Sequence, residues 1–112
     1  MKHTDIPVTT LEEFDDHNII FKKLVFSNVV CGANFVKDFM ANIADTLGGR
    51  SGGYERTIDN GMEKAIESLQ KKALAVGANA VVRVAFEYNS VGKNGTILSV
   101  HAYGSAVELR EK

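Results

Sequence analysis

The run of residues 19–30 constrains the fold of this chain more than any other feature. It is rich in β-forming residues, and apolar side chains fall on both faces of the strand that it predicts: Ile19, Ile20, Phe21, Leu24, Val25, Phe26, Val29 and Val30. A strand that is apolar on one face needs one covering layer, and a strand that is apolar on both needs two. We therefore expect one face to pack inside the subunit and the other to meet a second subunit.

Two helices are predicted to follow this strand. The first covers 34–47, with apolar residues four apart and Asn34 as a plausible N-cap. The second covers 54–76, has the most regular apolar spacing in the chain, and ends at Gly77, which suits a left-handed helix end. Gly61 lies inside the second helix and costs it about 1 kcal/mol relative to alanine. A glycine at that position indicates close approach of another element.

Four strands are predicted, over 6–10, 19–30, 79–88 and 96–109, with a polar loop at 11–18 and a hairpin loop at 89–95. Pro7 confines the first strand to a sheet edge, because proline has no N–H for the ladder. In the third strand one face is predicted to carry Val82, Val84, Phe86 and Tyr88 and the other Arg83 and Glu87. In the last strand the row Val100, Ala102, Gly104, Ala106 is small enough for a helix or a neighbouring subunit to lie close.

The predicted order is therefore β-β-α-α-β-β. Two helices against an antiparallel sheet give a two-layer α+β fold. The length of 112 residues corresponds to one domain, 1–112. That length is enough for a core without disulfides.

Charge and cysteine content restrict the classes of function. The net charge of −1 argues against nucleic acid or anionic membrane as a partner. The single cysteine, Cys31, excludes an intrachain disulfide and fits a reducing compartment. The first residues contain no apolar run typical of a signal peptide, and no run approaches the ~20 residues of a membrane span. These features predict a cytoplasmic protein.

The glycine-rich segment Gly48–Glu55 is the main candidate for a binding site. It reads as a turn that ends at a helix N-terminus, where backbone N–H groups and the helix dipole, together with Arg50, could hold an anion. It lacks the Gly-Lys-Ser/Thr of a phosphate-binding P-loop. A connection between two helices, with Ser51 as a cap, explains the same residues without a ligand.

Metal binding and catalysis have weaker support in the sequence. The candidate ligands are Cys31, His3, His17 and His101, but they have no local metal-binding spacing, so no metal site is predicted within one chain. A site could still form across a subunit interface, with one ligand from each chain. Cys31 and His101 could form a nucleophile and base only if their strands bring them together. The acidic stretch 12–18 does not match an EF-hand and is interpreted as a solvated turn. We predict neither an enzyme nor a cofactor.

Several motifs read together resemble the YbjQ-like family of small bacterial and archaeal proteins. They are Gly32-Ala33-Asn34, Gly48-Gly49-Arg50-Ser51, Tyr54-Glu55, Gly77-Ala78-Asn79-Ala80-Val81-Val82 and Gly104-Ser105-Ala106-Val107, and the resemblance covers roughly residues 6–110. It implies a dodecin-subunit-like fold and a homopentamer in which extra short strands help to join the subunits. Members carry a heavy-metal-binding label and are otherwise uncharacterised. Arg83 stands where relatives often have glycine, and Cys31 where they are expected to have an aliphatic residue.

From these observations we expect a homopentameric binding or assembly protein, with itself as its partner and a small anion as a possible class of ligand. The residues expected to bind the ligand are Arg50, Ser51, Tyr54 and Glu55, with Asn34 nearby if the two helix starts converge. Glu55 would orient Arg50 or form an ion pair between subunits. The alternative is a heavy-metal-binding protein, as the family label suggests.

Overall fold

The computed structural model describes residues 1–31, 50–91 and 97–112. After a short 3-10 helix (His3–Asp5), the elements are strand β1 (His17–Cys31), helix α1 (Arg50–Ala75), strand β2 (Ala80–Val91) and strand β3 (Ile97–Glu111). The three strands form one antiparallel sheet in the order β1-β3-β2. The last strand in sequence is therefore the central one, and β1 and β2 are the outer strands.

The two-helix fold class predicted from the sequence is wrong. In the part of the chain that the structure describes, one α-helix packs on a three-stranded antiparallel sheet. The predicted helix over 34–47 and the centre of the hairpin loop lie outside the described residues. One helix can cover this sheet, because three strands about 4.8 Å apart make a face only about 10–15 Å wide. A helix with its side chains is about 10 Å across.

Helix α1 begins earlier than predicted. Its bounds are Arg50–Ala75, so residues 50–53 of the expected glycine-rich turn are helical, and that part of the turn prediction is wrong. Gly52 and Gly53 each cost a helix about 1 kcal/mol relative to alanine, which is why the sequence favours a turn there. Extending an existing helix adds one hydrogen bond per residue, and this offsets the cost.

The core lies between α1 and the sheet. The helix contributes Ala65, Leu69 and Ala73, all fully buried at three- and four-residue spacing. They pack with buried strand residues, namely Val25, Val81, Val84, Val100, Ala102 and Ala106. Three members of the small row on β3, Val100, Ala102 and Ala106, therefore lie under the helix, as expected. A Cβ on Gly61 would lie 2.8 Å from Val100 Cγ2, which confirms the close approach predicted at this glycine.

A bulge in β2 overturns the predicted alternation of its side chains. The register with β3 shifts between Val82 and Ala85, and Arg83 has a positive φ of 53°. Val84 packs in the core under α1, whereas Val82 packs in a second cluster with Ala80 and Val107. The extra residue of a bulge reverses the faces that follow it, and period-two counting cannot detect this reversal. The left-handed backbone at Arg83 suits glycine, the residue that the family resemblance implies there.

The N-terminal segment lies along the outer edge of β2. Val8 forms an isolated parallel bridge with Val81, in place of the predicted strand over 6–10. The carbonyl of Pro7 accepts from the Val81 N–H at 2.9 Å, and the Thr9 N–H donates to the Val81 carbonyl at 2.9 Å. Pro7 thus occupies a sheet edge, where its missing N–H breaks no ladder.

Helix α1 ends in a Schellman motif centred on Gly77. The Gly77 N–H donates to the Leu74 carbonyl at 3.2 Å, and the Ala78 N–H donates to the Ala73 carbonyl at 3.0 Å. Gly77 has a φ of +76°, so the predicted helix end is confirmed.

We expect Gly77→Ala to lower the free energy of unfolding by about 1 kcal/mol, because alanine is strained at positive φ. A Cβ at Gly77 would have no neighbouring atom within 4 Å, so the loss of stability comes from backbone conformation and not from a steric clash. Urea titration measures it, with Gly77→Asn as the control. Asparagine tolerates the left-handed region, so its loss should be smaller. Equal losses for both variants would contradict this explanation.

Candidate functional site

The face of the sheet opposite α1 is the most distinctive surface of the described chain, and we call it the open face. The register places Leu24, Phe26, Asn28 and Val30 of β1 beside Ser105, Tyr103, His101 and Ser99 of β3. Residues that alternate with these, such as Val25 and Ala102, are buried under the helix. Side chains alternate between faces along a strand, so the first set lies on the side away from α1.

The open face exposes large apolar side chains. Phe26 is 59% exposed and Tyr103, its register partner, is 43% exposed. Three further residues of β1 are more than half exposed, namely Phe21, Leu24 and Val30. Both faces of β1 are thus apolar, as predicted, and among the described residues the helix covers only one of them. Contiguous exposed apolar surface of this kind is typical of an interaction site.

One end of the open face is covered within the subunit. Val82 and Val107 are buried there in the second cluster, and Phe14, Ile19 and Leu109 pack against them. Phe14 belongs to the polar loop that precedes β1. The uncovered surface is therefore the part of the sheet beyond this cluster, on β1 and the middle of β3.

A chain of polar side chains crosses the open face. His101 Nδ1 is hydrogen-bonded to Asn28 Oδ1 on the neighbouring strand, and His101 Nε2 lies 3.3 Å from Ser99 Oγ. An amide oxygen only accepts, so the His101 Nδ1–H donates to Asn28 Oδ1. Glu87 of β2 is the register partner of His101 on its other side.

The outer edge of β1 has no strand partner among the described residues. Lys72 of α1 reaches this edge, where its ammonium donates to the Phe26 carbonyl and lies 5.1 Å from the centre of the Phe26 ring. A long strand with an unpaired edge is a template for pairing with another chain. Lys22 and Lys23 are exposed on the same strand and reduce that tendency.

The residues predicted to bind a ligand are only partly within the described chain. Arg50, Ser51, Tyr54 and Glu55 all belong to α1, within its first two turns as the structure describes it. Asn34 lies outside the described residues. The predicted role of these five residues in ligand binding therefore stays a prediction.

The predicted metal ligands are dispersed. His3 Nε2 lies 3.8 Å from Glu67, and His17 Nδ1 lies 2.7 Å from Asp16. Cys31 pairs with Leu98, three positions from the pair of Asn28 and His101. No group of three or more His, Cys, Asp or Glu residues that could hold a metal ion occurs within the residues 1–31, 50–91 and 97–112.

Several charged surface groups form ordinary ion pairs and hydrogen bonds. Lys71 Nζ lies 3.0 Å from Glu67 in an i,i+4 arrangement, and the hydrogen bond between them lowers the pKa of the Glu67 carboxyl. In the acidic loop, Glu12 pairs with Arg83 at 3.5 Å and Asp16 is hydrogen-bonded to His17. The exposure of these acidic groups agrees with the interpretation of this loop as a solvated turn.

Comparison with known proteins identifies the family. The model of the YbjQ family, described as "Putative heavy-metal-binding", matches residues 6–110. A UPF0145 protein of Actinobacillus pleuropneumoniae serotype 5b is 47% identical over 104 residues, covering 92% of this chain and 98% of the relative. A UPF0145 protein of Pasteurella multocida is 43% identical over 105 residues, covering 92% of this chain and 98% of the relative.

A crystal structure supports the fold alone. It is that of a protein of unknown function from Pediococcus pentosaceus that belongs to the DUF74 family. It aligns with a TM-score of 0.56 and 19% identity, covering 94% of this chain and 98% of the other. With the family match over almost the whole chain, these similarities give one conclusion: the chain belongs to the YbjQ family, described as "Putative heavy-metal-binding".

Proposed function

We propose that this protein is a homo-oligomeric binding and assembly protein, without enzymatic activity, whose copies pack together through the open face. The observation that carries the proposal is the exposure of Phe26 and Tyr103, with Phe21, Leu24 and Val30, on a face that α1 does not cover. A second copy of the chain is the occupant that we propose for this face.

The size of the patch supports a second copy. An aromatic side chain that is about half exposed leaves roughly 100 Å² accessible, so the five side chains together leave roughly 400–500 Å² per copy. If an equal area of the next copy covers this patch, each contact buries about 800–1,000 Å². Neighbouring atoms would bring the total to the ~1,000 Å² or more that a specific interface buries. The net charge of −1 gives little repulsion between copies.

We propose five copies arranged in a closed ring, the number that the family resemblance implies. Closed symmetry uses the same surface of every copy and leaves none of it free for further growth. The outer edge of β1, which has no strand partner in the described part of the chain, is available for contacts with the next copy. We propose the cytoplasm as the compartment, because Cys31 is the only cysteine of the chain. In the described residues, no helix combines the length and the apolar composition that crossing a bilayer requires.

We propose a small anion as the class of ligand, bound near Arg50, Ser51, Tyr54 and Glu55, with Asn34 as a further candidate. The support is the sequence Gly-Gly-Arg-Ser-Gly-Gly, whose Arg50 supplies a positive charge.

Phosphate should then raise the melting temperature of the protein, and Arg50→Ala should abolish that increase. If Arg50 forms an ion pair between subunits instead, Arg50→Ala should lower the oligomer mass both with and without phosphate.

We expect Phe26→Asp to convert the oligomer into smaller species, because burying a charged carboxylate at the centre of an apolar interface costs free energy. Multi-angle light scattering at micromolar concentration measures the mass. The matched control is Leu11→Asp, since Leu11 is 56% exposed but lies in the loop before β1 rather than on the open face. The control should keep the mass of the unmodified protein. A monomeric mass for the unmodified protein, or an unchanged mass for Phe26→Asp, would overturn the proposal.

A further inference from the structure

We propose that a groove between β1 and the last turn of α1 binds a small carboxylate with an apolar tail. Two lysines line this groove, Lys23 of β1 and Lys72 of α1, together with apolar side chains that include Val25, Ala75 and Val76. The groove is distinct from the anion site proposed near residues 50–55. At 1.5 Å per residue, the two ends of α1 are separated by roughly 30 Å.

The apolar side chains give the groove room for a short hydrocarbon tail. Val25 is buried in the core cluster, and Val76 packs against the same cluster, so a tail in the groove would contact the side of the core. The groove has a volume of about 250 Å³. At the ~30 Å³ that one molecule occupies in liquid water, this corresponds to about eight non-hydrogen atoms. A six-carbon carboxylate has this size.

Lys72 supplies a positive charge that is held in place. Its ammonium donates to the Phe26 carbonyl and lies 5.1 Å from the centre of the Phe26 ring. These contacts keep the charge at the edge of β1 rather than in open solvent. An ammonium has three donors, and the Phe26 carbonyl takes one of them. Two donors are therefore left for the oxygens of a carboxylate.

Lys23 brings a second positive charge to the same groove. Lys22, Lys71 and Arg83 each lie 3.0–3.5 Å from a carboxylate, whereas Lys23 and Lys72 form no such pair with any residue that the structure describes. The C-terminal end of a helix carries about half a negative charge, which two ammonium groups outweigh. The groove therefore favours an anion, and its apolar side chains favour one with a hydrocarbon tail.

Equilibrium dialysis of the full chain with radiolabelled hexanoate tests the inference. We expect saturable binding that Lys72→Gln weakens about tenfold or more, because a charge-assisted hydrogen bond to the carboxylate is lost. The matched control is Lys71→Gln, which removes the same charge one position away. Lys71 pairs with Glu67 and does not line the groove, so this variant should bind hexanoate as the unmodified protein does.

Two further measurements test the apolar part of the site. Acetate should displace hexanoate only at concentrations about tenfold higher or more than unlabelled hexanoate requires, because it has no tail to bury. Ala75→Leu should also weaken hexanoate binding, since the larger side chain fills the groove. Alanine and leucine are both good helix formers, so α1 should keep its structure in this variant.

Several results would overturn the inference. They are an absence of saturable hexanoate binding, equal binding by the Lys71→Gln and Lys72→Gln variants, undiminished binding by Ala75→Leu, and displacement by acetate as efficient as by hexanoate. The oligomer mass of Lys72→Gln, measured by light scattering, should equal that of the unmodified protein. A lower mass would mean that a carboxylate of a neighbouring copy occupies the groove, which would also overturn the site for a free ligand.

Discussion

Leu69→Ala is expected to lower the free energy of unfolding by about 2–5 kcal/mol, the range for emptying a buried leucine site. Leu69 is 0% exposed and belongs to the core cluster between α1 and the sheet. Removing its isobutyl group loses hydrophobic transfer energy and leaves a cavity that a tightly packed core closes only in part. Leucine and alanine both favour helix, so the loss reports packing and not helix propensity.

The matched control is Leu74→Ala, the same substitution five positions further along α1. Leu74 is 37% exposed, so its truncation should cost at most about 1 kcal/mol. Urea titration at one fixed protein concentration compares the two variants, since oligomer stability depends on concentration. Equal losses would mean that α1 presents a different face to the sheet.

The sequence predicts α1 and its contact face well, for a physical reason. Ala65, Leu69 and Ala73 recur at helical spacing, and this period is a local property of the chain. The same holds for Gly77, whose role depends on one residue's backbone conformation. The number of helices on the sheet is not a local property, and the prediction of two was wrong.

The polar chain on the open face is the part of the candidate site that sequence reasoning missed. Ser99 and His101 are two apart in a predicted strand, so a shared face for them is foreseeable. Asn28 is 73 positions from His101 in the chain, and only the register of β1 on β3 joins them. Register follows from the whole pattern of strand pairing, including the shift between Phe21 and Lys23.

Gly104→Ala is expected to lower the free energy of unfolding by about 1–3 kcal/mol, the usual cost of overpacking a core. A Cβ at Gly104 would lie 2.8 Å from Val84 Cγ2, 3.0 Å from Val81 Cγ1 and 3.0 Å from the Val82 carbonyl oxygen. The small residues along β3 predict that a helix or another subunit lies close to this strand. At Gly104 the close neighbour is instead the bulge of β2.

The comparison with Gly61→Ala makes this prediction specific. A Cβ at Gly61 meets only the side chain of Val100, and alanine gains about 1 kcal/mol of helix propensity there, so its net effect should be smaller. At Gly104 one of the three contacts is a backbone carbonyl, which no change of rotamer can move. Val84→Ala should therefore relieve only part of the cost when it is combined with Gly104→Ala in a double-mutant cycle. If Val84→Ala restored the full stability lost in Gly104→Ala, the Val82 carbonyl would be able to move away at little cost. The bulge would then not fix the distance between β2 and β3.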